Sequence, residues 1–310
     1  MVLCWPCFSD SAETEARSAL LANYTRLKGA LADNPYGIPL HISSTDAERL
    51  MQGDVYGIIA HDFAGVQQAL SSAKNWCAIT PLHFNIKACT YQSRASGCLL
   101  TLYTGRKFYE AAEDVYQLKY DFHRSANDDG YMQLHLTSAR GPIGTRDYQL
   151  SIEAIPLDAG QSFIHIHYSY QYSFLTQLSM QTYLATLGRH KTGFSLAGVD
   201  AEGAPHYIQG IRGIIERNVA RYYFAIHSYL DTREVPEARR LAVRLQRWYE
   251  LTEKFPAQLH ELDWGDYLQY KYMEWQDQLR LQGVLDASGQ THCSEDESER
   301  MGHNTGRGLP

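Results

Sequence analysis

No stretch of eighteen or more apolar residues occurs in the 310-residue chain, so no segment reads as a membrane-spanning helix. Positive charge is in deficit. Lys+Arg number 28 against 35 Asp+Glu, and the formal charge of −7 gives no general attraction to phosphate backbones or anionic bilayers, which puts nucleic acid outside the expected partners. The chain also lacks G-x-x-x-x-G-K-[ST], G-x-G-x-x-G and H-E-x-x-H, which removes the common nucleotide sites and the zinc-protease helix. Gly193-Phe-Ser-Leu-Ala197 falls one residue short of the G-x-S-x-G elbow and follows a helical stretch where the elbow needs a strand, so no serine nucleophile is read there. With 44% hydrophobic and 20% charged residues, a wholly disordered chain, a collagen and a coiled coil are excluded too.

What the chain has in excess is tyrosine, 22 residues against 10 Phe and 5 Trp. Tyrosine brings a large apolar ring with a hydroxyl that wants a partner. Six cysteines sit at 4, 7, 77, 89, 98 and 293. Cys4-x-x-Cys7 has redox or zinc spacing but no surrounding βαβ pattern and no second ligand pair, so an unstructured leader is the simpler reading. The same leader is too short, and too poor in basic residues, to be a complete signal peptide. Cys77 and Cys89 bracket the Pro-containing segment 78–88. A disulfide there implies an oxidising compartment, whereas two buried thiols imply nothing, and both readings stand.

The 3.6-residue period runs first, through Ser11 to Leu31 with Leu20, Leu21, Tyr24, Leu27 and Leu31 on one face, until Asn34-Pro35-Tyr36-Gly37 stops it. A strand is expected over Asp54 to His61 and a helix over Phe63 to Trp76. From residue 88 the period becomes two for about eighty residues. Tyr116, Leu118, Tyr120 and Phe122 alternate with polar residues. So do Met132, Leu134 and Leu136, then Tyr148, Leu150 and Ile152, then Ile164, Ile166, Tyr168, Tyr170 and Tyr172. One apolar and one polar face per strand, with short connections, predicts an antiparallel meander covered on one side. Phe174 to Leu187 and, above all, the amphipathic helix Ile211 to Leu230 are the candidate covers. Helices over Pro236 to Phe255 and Trp264 to Leu281 follow.

This order resembles the helix-grip fold of the START-like (SRPBCC, Bet v 1-like) superfamily, within an α+β class. The resemblance rests on element order over Gly53 to Leu230, on Trp76-Cys-Ala-Ile-Thr-Pro-Leu82, and on Gly141-Pro-Ile-Gly-Thr-Arg-Asp-Tyr148. With Ser162-Phe-Ile-His-Ile-His-Tyr168 and Arg212-Gly-Ile-Ile-Glu-Arg-Asn218 the chain is also similar to an uncharacterised proteobacterial group in that superfamily. The resemblance implies a curved antiparallel sheet wrapped around a long C-terminal helix, with a ligand cavity between them. The expected organisation is a flexible leader 1–10, an N-terminal helix and connection 11–52, a START-like domain 53–232, a helical extension 233–284 and a disordered tail 285–310. The cavity wall it implies comprises Tyr116, Leu118, Tyr120, Phe122, Met132, Leu134, Leu136, Leu150, Ile152, Ile164, Ile166, Tyr168 and Tyr170, faced by Ile215, Val219 and Tyr222.

Among polar groups, His165-x-His167 with His135 on a neighbouring strand is the best metal candidate, but the same face carries Ser169, Gln171 and Gln133, so exposed histidines and no metal are expected. Arg146, Arg189 and Lys191 are placed near the cavity ends. Glu216 on the long helix either pairs with Arg212 one turn away or turns inward toward Arg146 or Arg189, as a ligand anchor or as a structural tie. The resulting expectation is a carrier or sensor for a hydrophobic small molecule such as a lipid, sterol or aromatic compound, without a cofactor. Two alternatives accompany it. One is a cyclase- or hydratase-like enzyme of the same superfamily using cavity Tyr, His and Arg, with Glu216 or His190 as the acid or base. The other is a filled structural domain whose aromatic terminal helices dock a partner or touch a membrane surface. The compartment is read as periplasmic or secreted where a signal preceded this start, and cytoplasmic otherwise; the oligomeric state is not specified by the sequence.

Overall fold

In the computed structural model, residues 7–95, 97–158, 160–174, 176, 191–199, 203, 205–291 and 293 are described. A helix α1 (Cys7–Ala32) leads into a hairpin, β1 (Leu40–Ala47) and β2 (Leu50–Ile59). Two short helices, α2 (Phe63–Leu70) and α3 (Ala73–Ile79), and a 3-10 turn over Thr80–Leu82 follow. Six strands then run in succession: β3 (Ile86–Arg94), β4 (Gly97–Thr104), β5 (Tyr116–Asn127), β6 (Met132–Arg140), β7 (Arg146–Pro156) and β8 (Ser162–Gln171). A small ribbon, β9 (Leu196–Val199) with β10 (Pro205–Tyr207), precedes the long helix α4 (Gly210–Asp231). Helices α5 (Glu237–Thr252), α6 (Pro256–Leu259) and α7 (Trp264–Ala287) complete the fold.

The eight strands form one antiparallel sheet in the order β1-β2-β8-β7-β6-β5-β4-β3. Register shifts between Arg124 and Ala126 and between Arg146 and Gln149 interrupt the ladders, and such bulges bend a sheet. On the inner face lies α4, 22 residues or about 33 Å long, packed against β1, β2 and β8. Its approach depends on glycine. A Cβ on Gly53 would stand 2.8 Å from Ile215, and one on Gly57 would run into the Tyr223 ring, so two inward positions of β2 carry no side chain. This is the α+β helix-grip arrangement: early helices between the second and third strands, a meander, and a long helix on the concave side.

Four expectations about the fold need correction. The polar stretch before Asp54 contains β1, an edge strand that pairs with β2 from Leu40↔Gly57 to Ala47↔Leu50. The single helix expected over Phe63 to Trp76 is two helices, broken at Ser71 and Ser72. The sheet is covered on both sides, because Leu20, Leu27 and Leu31 of α1 pack on Tyr131, Ile155 and Phe163 of the outer face. The C-terminal chain also stays tied to the domain past Leu285. The helix α7 continues to Ala287, and Cys293 is bridged to Cys98. The leader 1–6, most of Phe174 to Leu187, and 294–310 lie outside the described residues.

No described helix is long and apolar enough to cross a membrane.

Candidate functional site: a tyrosine-lined interior

Alternation along the strands sends Tyr120 of β5, Tyr148 of β7 and Tyr168 and Tyr170 of β8 to the inner face, where all four are buried. They touch in series. Ring centroids are 6.4 Å apart for Tyr120–Tyr148, 6.1 Å for Tyr148–Tyr168 and 5.1 Å for the stacked pair Tyr148–Tyr170. Ser138, directly across from Tyr148 in the β6–β7 register, is small enough to leave room for these rings. From the opposite side α4 contributes Tyr222, half-buried and 6.0 Å edge-on to Tyr168. The turn after α3 brings His83, which is buried, to 5.7 Å from the Tyr222 ring.

The polar ends of this group are unevenly matched. Tyr148 donates to Thr145 Oγ1 at 2.8 Å, and the Tyr168 hydroxyl lies near that of Tyr120. The hydroxyls of Tyr170 and Tyr222 have no hydrogen-bond partner among the described residues. Burial pushes Tyr148 up to about 12 and raises the pKa of Tyr120, Tyr168, Tyr170 and Tyr222 as well, so all five stay protonated donors. Burial, reinforced by the Arg221 and Lys271 charges, holds His83 far below its ordinary value. It is therefore neutral. Its Nδ1 accepts from the Asn85 N–H at 3.1 Å, which assigns the ring proton to Nε2, beside Asn218.

The rest of the expected wall is placed as follows. Leu118, Met132, Leu134, Leu136, Leu150, Ile152, Ile164 and Ile166 are buried on the same face, with Ile215 and Val219 opposite, and Phe122 is half-buried. Tyr116 does not belong to the interior: it begins β5 at the sheet rim, opposite Thr104, and is 39% exposed. Arg146 is no inward anchor. It is exposed, donating to Gln171 Oε1 from Nε and Nη2 at 3.2 and 3.0 Å and pairing with Asp147 at 3.3 Å. Glu216 does turn inward, but toward neither Arg146 nor the helix surface. Its Oε1 accepts from Ser44 Oγ at 2.6 Å, and its Oε2 accepts from the backbone N–H groups of Phe194 and Ser195 at 2.7 and 2.9 Å. Arg212 binds the same Ser44, through its Oγ and carbonyl, instead of pairing directly with Glu216. Arg189 and His190 lie outside the described residues; Lys191 pairs with Glu261 at 3.3 Å.

His83 is the interior residue that sequence reasoning missed. A lone histidine between two elements carries no periodic signal, and only the tertiary placement of Thr80–Leu82 sets it under Tyr222. The outer-face histidines are not simply exposed. His165 is held between Asp54 Oδ1 at 2.8 Å and Glu153 Oε2 at 3.0 Å, with Tyr56 stacked on its ring at 4.2 Å, and His167 shares Asp54 at 2.9 Å. No group of three metal-ligating side chains is present among the described residues. Of the aromatic terminal helices, Trp248 and Tyr267 stack 5.2 Å apart inside the core. Cys77 and Cys89 are joined in a disulfide, with Cα atoms 4.9 Å apart.

No protein-family model matches the sequence, and no curated protein does. Solved structures similar to the chain include human StAR-related lipid transfer protein 5, at 12% identity over 56% of this chain and 90% of that one, with a TM-score of 0.32. Norcoclaurine synthase from Thalictrum flavum is 11% identical over 47% of this chain and 78% of its own, at 0.32. A START superfamily protein from Mycobacterium smegmatis is 13% identical over 44% and 92%, at 0.31. The first and third of these bear StAR-related and START superfamily names. Likenesses this distant decide nothing about ligand or chemistry, and the helix-grip assignment stands on the strand order and helix placement of the chain itself.

Proposed function

We propose that the protein binds an apolar small molecule bearing one polar oxygen function, such as a sterol, lipid or aromatic compound, between the sheet and α4. The observation that carries this reading is the pair of hydroxyls, Tyr170 and Tyr222, that have no hydrogen-bond partner among the described residues and stand in a ring-lined surround. Interior polar groups are satisfied in native proteins, so an unmatched pair marks a place for water or a ligand. Apolar walls with a few convergent donors are what small-molecule sites use to hold and orient a ligand. Native mass spectrometry of the full chain, gently purified and then exposed to a lipid and sterol extract, tests the reading. The expected result is one adduct, weakened in Tyr170→Phe and Tyr222→Phe. A wild-type protein that takes up nothing from the extract overturns it.

A second reading rests on His83. Neutral, with Nε2 protonated and next to Tyr222, it can pass a proton to or from a bound molecule. Recovery of the ligand chemically unchanged after long incubation favours carriage, and conversion that disappears in His83→Gln favours catalysis.

A further inference from the structure

A cavity of about 410 Å³ lies outside the sheet–helix interior, between α3, the first half of α5 and α7. Its size is within the roughly 300–1,000 Å³ of small-molecule sites. Ala78, Pro81, Leu82, Leu241, Leu245 and Trp275 give it an apolar wall, and the Cys77–Cys89 disulfide forms part of its lining.

One buried charge in that lining has no counter-ion among the described residues. Arg244 is only 7% exposed. Its Nε donates to Thr232 Oγ1 at 2.9 Å and its Cζ lies 4.3 Å from the centre of the Tyr229 ring, yet no carboxylate pairs with it and its two Nη groups have no acceptor among the described residues. Burial, with the Arg240 charge one turn away adding to it, pushes its pKa down to about 10, so it is still charged near neutrality. The carboxylates of the same lining are engaged or remote. Glu274 is shared by Lys87 and Lys271, Asp286 accepts from Gln282, and Glu237 is exposed. A largely buried guanidinium without a counter-ion is unfavourable on its own, and its planar fork matches a carboxylate in two parallel hydrogen bonds.

We infer that this cavity is a binding site for an apolar monoanion, a medium-chain or aromatic carboxylic acid, whose carboxylate meets Arg244 while its hydrocarbon part fills the space against Leu241, Leu245 and Trp275. The site is separate from the tyrosine-lined interior. Its occupation neutralises a buried cation that has no counter-ion among the described residues.

Isothermal titration calorimetry of the disulfide-intact full chain with sodium decanoate, below its micelle concentration, tests this against decan-1-ol, which has the same chain length and no charge. One equivalent of decanoate is expected to bind, at least about tenfold more weakly in Arg244→Met, with decan-1-ol binding wild type no better than decanoate binds that variant. Leu241→Trp, which fills the cavity, is expected to remove decanoate binding, while Tyr222→Phe leaves it intact. Unchanged affinity in Arg244→Met or Leu241→Trp overturns the assignment. Loss in Tyr222→Phe alone places the acid between sheet and α4 and overturns it equally. Should Arg244→Met fail to fold, Leu241→Trp decides, and unchanged affinity in that variant refutes the site.

Discussion

Glu216 tests whether the inward carboxylate of α4 is a structural tie or a ligand anchor. It is fully buried, and its two oxygens receive three donors: the Ser44 hydroxyl from β1 and the N–H groups of Phe194 and Ser195. The neighbouring backbone is shaped around it, since a Cβ on Gly193 would sit 2.5 Å from Oε2. Hydrogen bonds to a charged group contribute about 1.5–3 kcal/mol each and neutral ones about 0.5–1.5. In Glu216→Gln the amide oxygen keeps the two N–H bonds at neutral strength, and the amide nitrogen faces a Ser44 oxygen already bonded to Arg212. The expected loss is about 2 kcal/mol. Glu216→Ala strands all three donors, at about 1–3 kcal/mol each, and leaves a cavity, so its loss is about 5 kcal/mol. Urea denaturation followed by circular dichroism, with the disulfides intact, reads this series, and Ser44→Ala combined with Glu216→Gln should show coupling of 1 kcal/mol or more, a magnitude usual for directly bonded neighbours. An alanine variant within about 1 kcal/mol of wild type, the least that one stranded donor costs, refutes the reasoning. The same variant with intact stability but lost ligand uptake makes Glu216 an anchor after all.

Two further predictions concern charge. In Glu274→Gln the buried ammonium groups of Lys87 and Lys271, now 2.8 and 2.6 Å from that carboxylate, lose their shared counter-ion, and a drop of about 3–5 kcal/mol is expected in thermal denaturation; an unchanged melting curve sinks the claim that this triad holds α7. On the outer face, burial opposes protonation of His165, but Asp54 and Glu153 outweigh it and raise its pKa above 6.5. Burial likewise opposes ionisation of Asp54 and Glu153, yet their hydrogen bonds to His165, with His167 and Tyr131 adding to them, lower both. The histidine contribution is therefore whole below pH 6.5 and lost as the pH rises through its raised value. The carboxylate contributions are present above about 3.8 and 4.5 and lost as the pH falls. The stability difference between wild type and His165→Gln should peak between those limits, and a difference flat from pH 4 to 8 contradicts the network.

Much of the sheet is visible in the chain because burial on one face writes itself as alternation. The inward row Leu134, Leu136, Leu150, Ile152, Ile164, Ile166 follows from parity alone. The hairpin β1–β2 escapes for a local reason. Its two turn residues, Glu48 and Arg49, both take positive φ, 54° and 65°, the conformation of a tight hairpin turn that sequences normally announce with Asn-Gly. Without that signal, and with Ser-Ser-Thr-Asp in its second half, β1 reads as a loop. The tyrosine site is half legible: parity places the rings inward, but which hydroxyls find partners, and the arrival of His83, depend on how α3 and α4 pack.

The helix α7 shows why pattern reading fails beyond the sheet. Tyr267, Lys271, Glu274, Gln278 and Gln282 recur at spacings of four, three, four and four, a polar stripe that in isolation marks the solvent side of a helix. Here it faces inward. The strand β3 is the sheet edge, and its unpaired backbone groups are met by this stripe. Gln278 Oε1 accepts from Cys89 N–H at 2.8 Å, and the Gln282 amide bonds both N–H and C=O of Tyr91, at 3.0 and 3.2 Å. Lys271 donates to the carbonyls of His83 and Ile86, and Tyr267 to that of Leu82. The side chains thus stand where a ninth strand would, closing an edge that would otherwise be open to another chain. The apolar residues Met273, Leu279 and Val284 are left on the exposed side. A polar stripe faces a core whenever the core presents backbone instead of side chains, and no periodicity in α7 alone can state which it will meet.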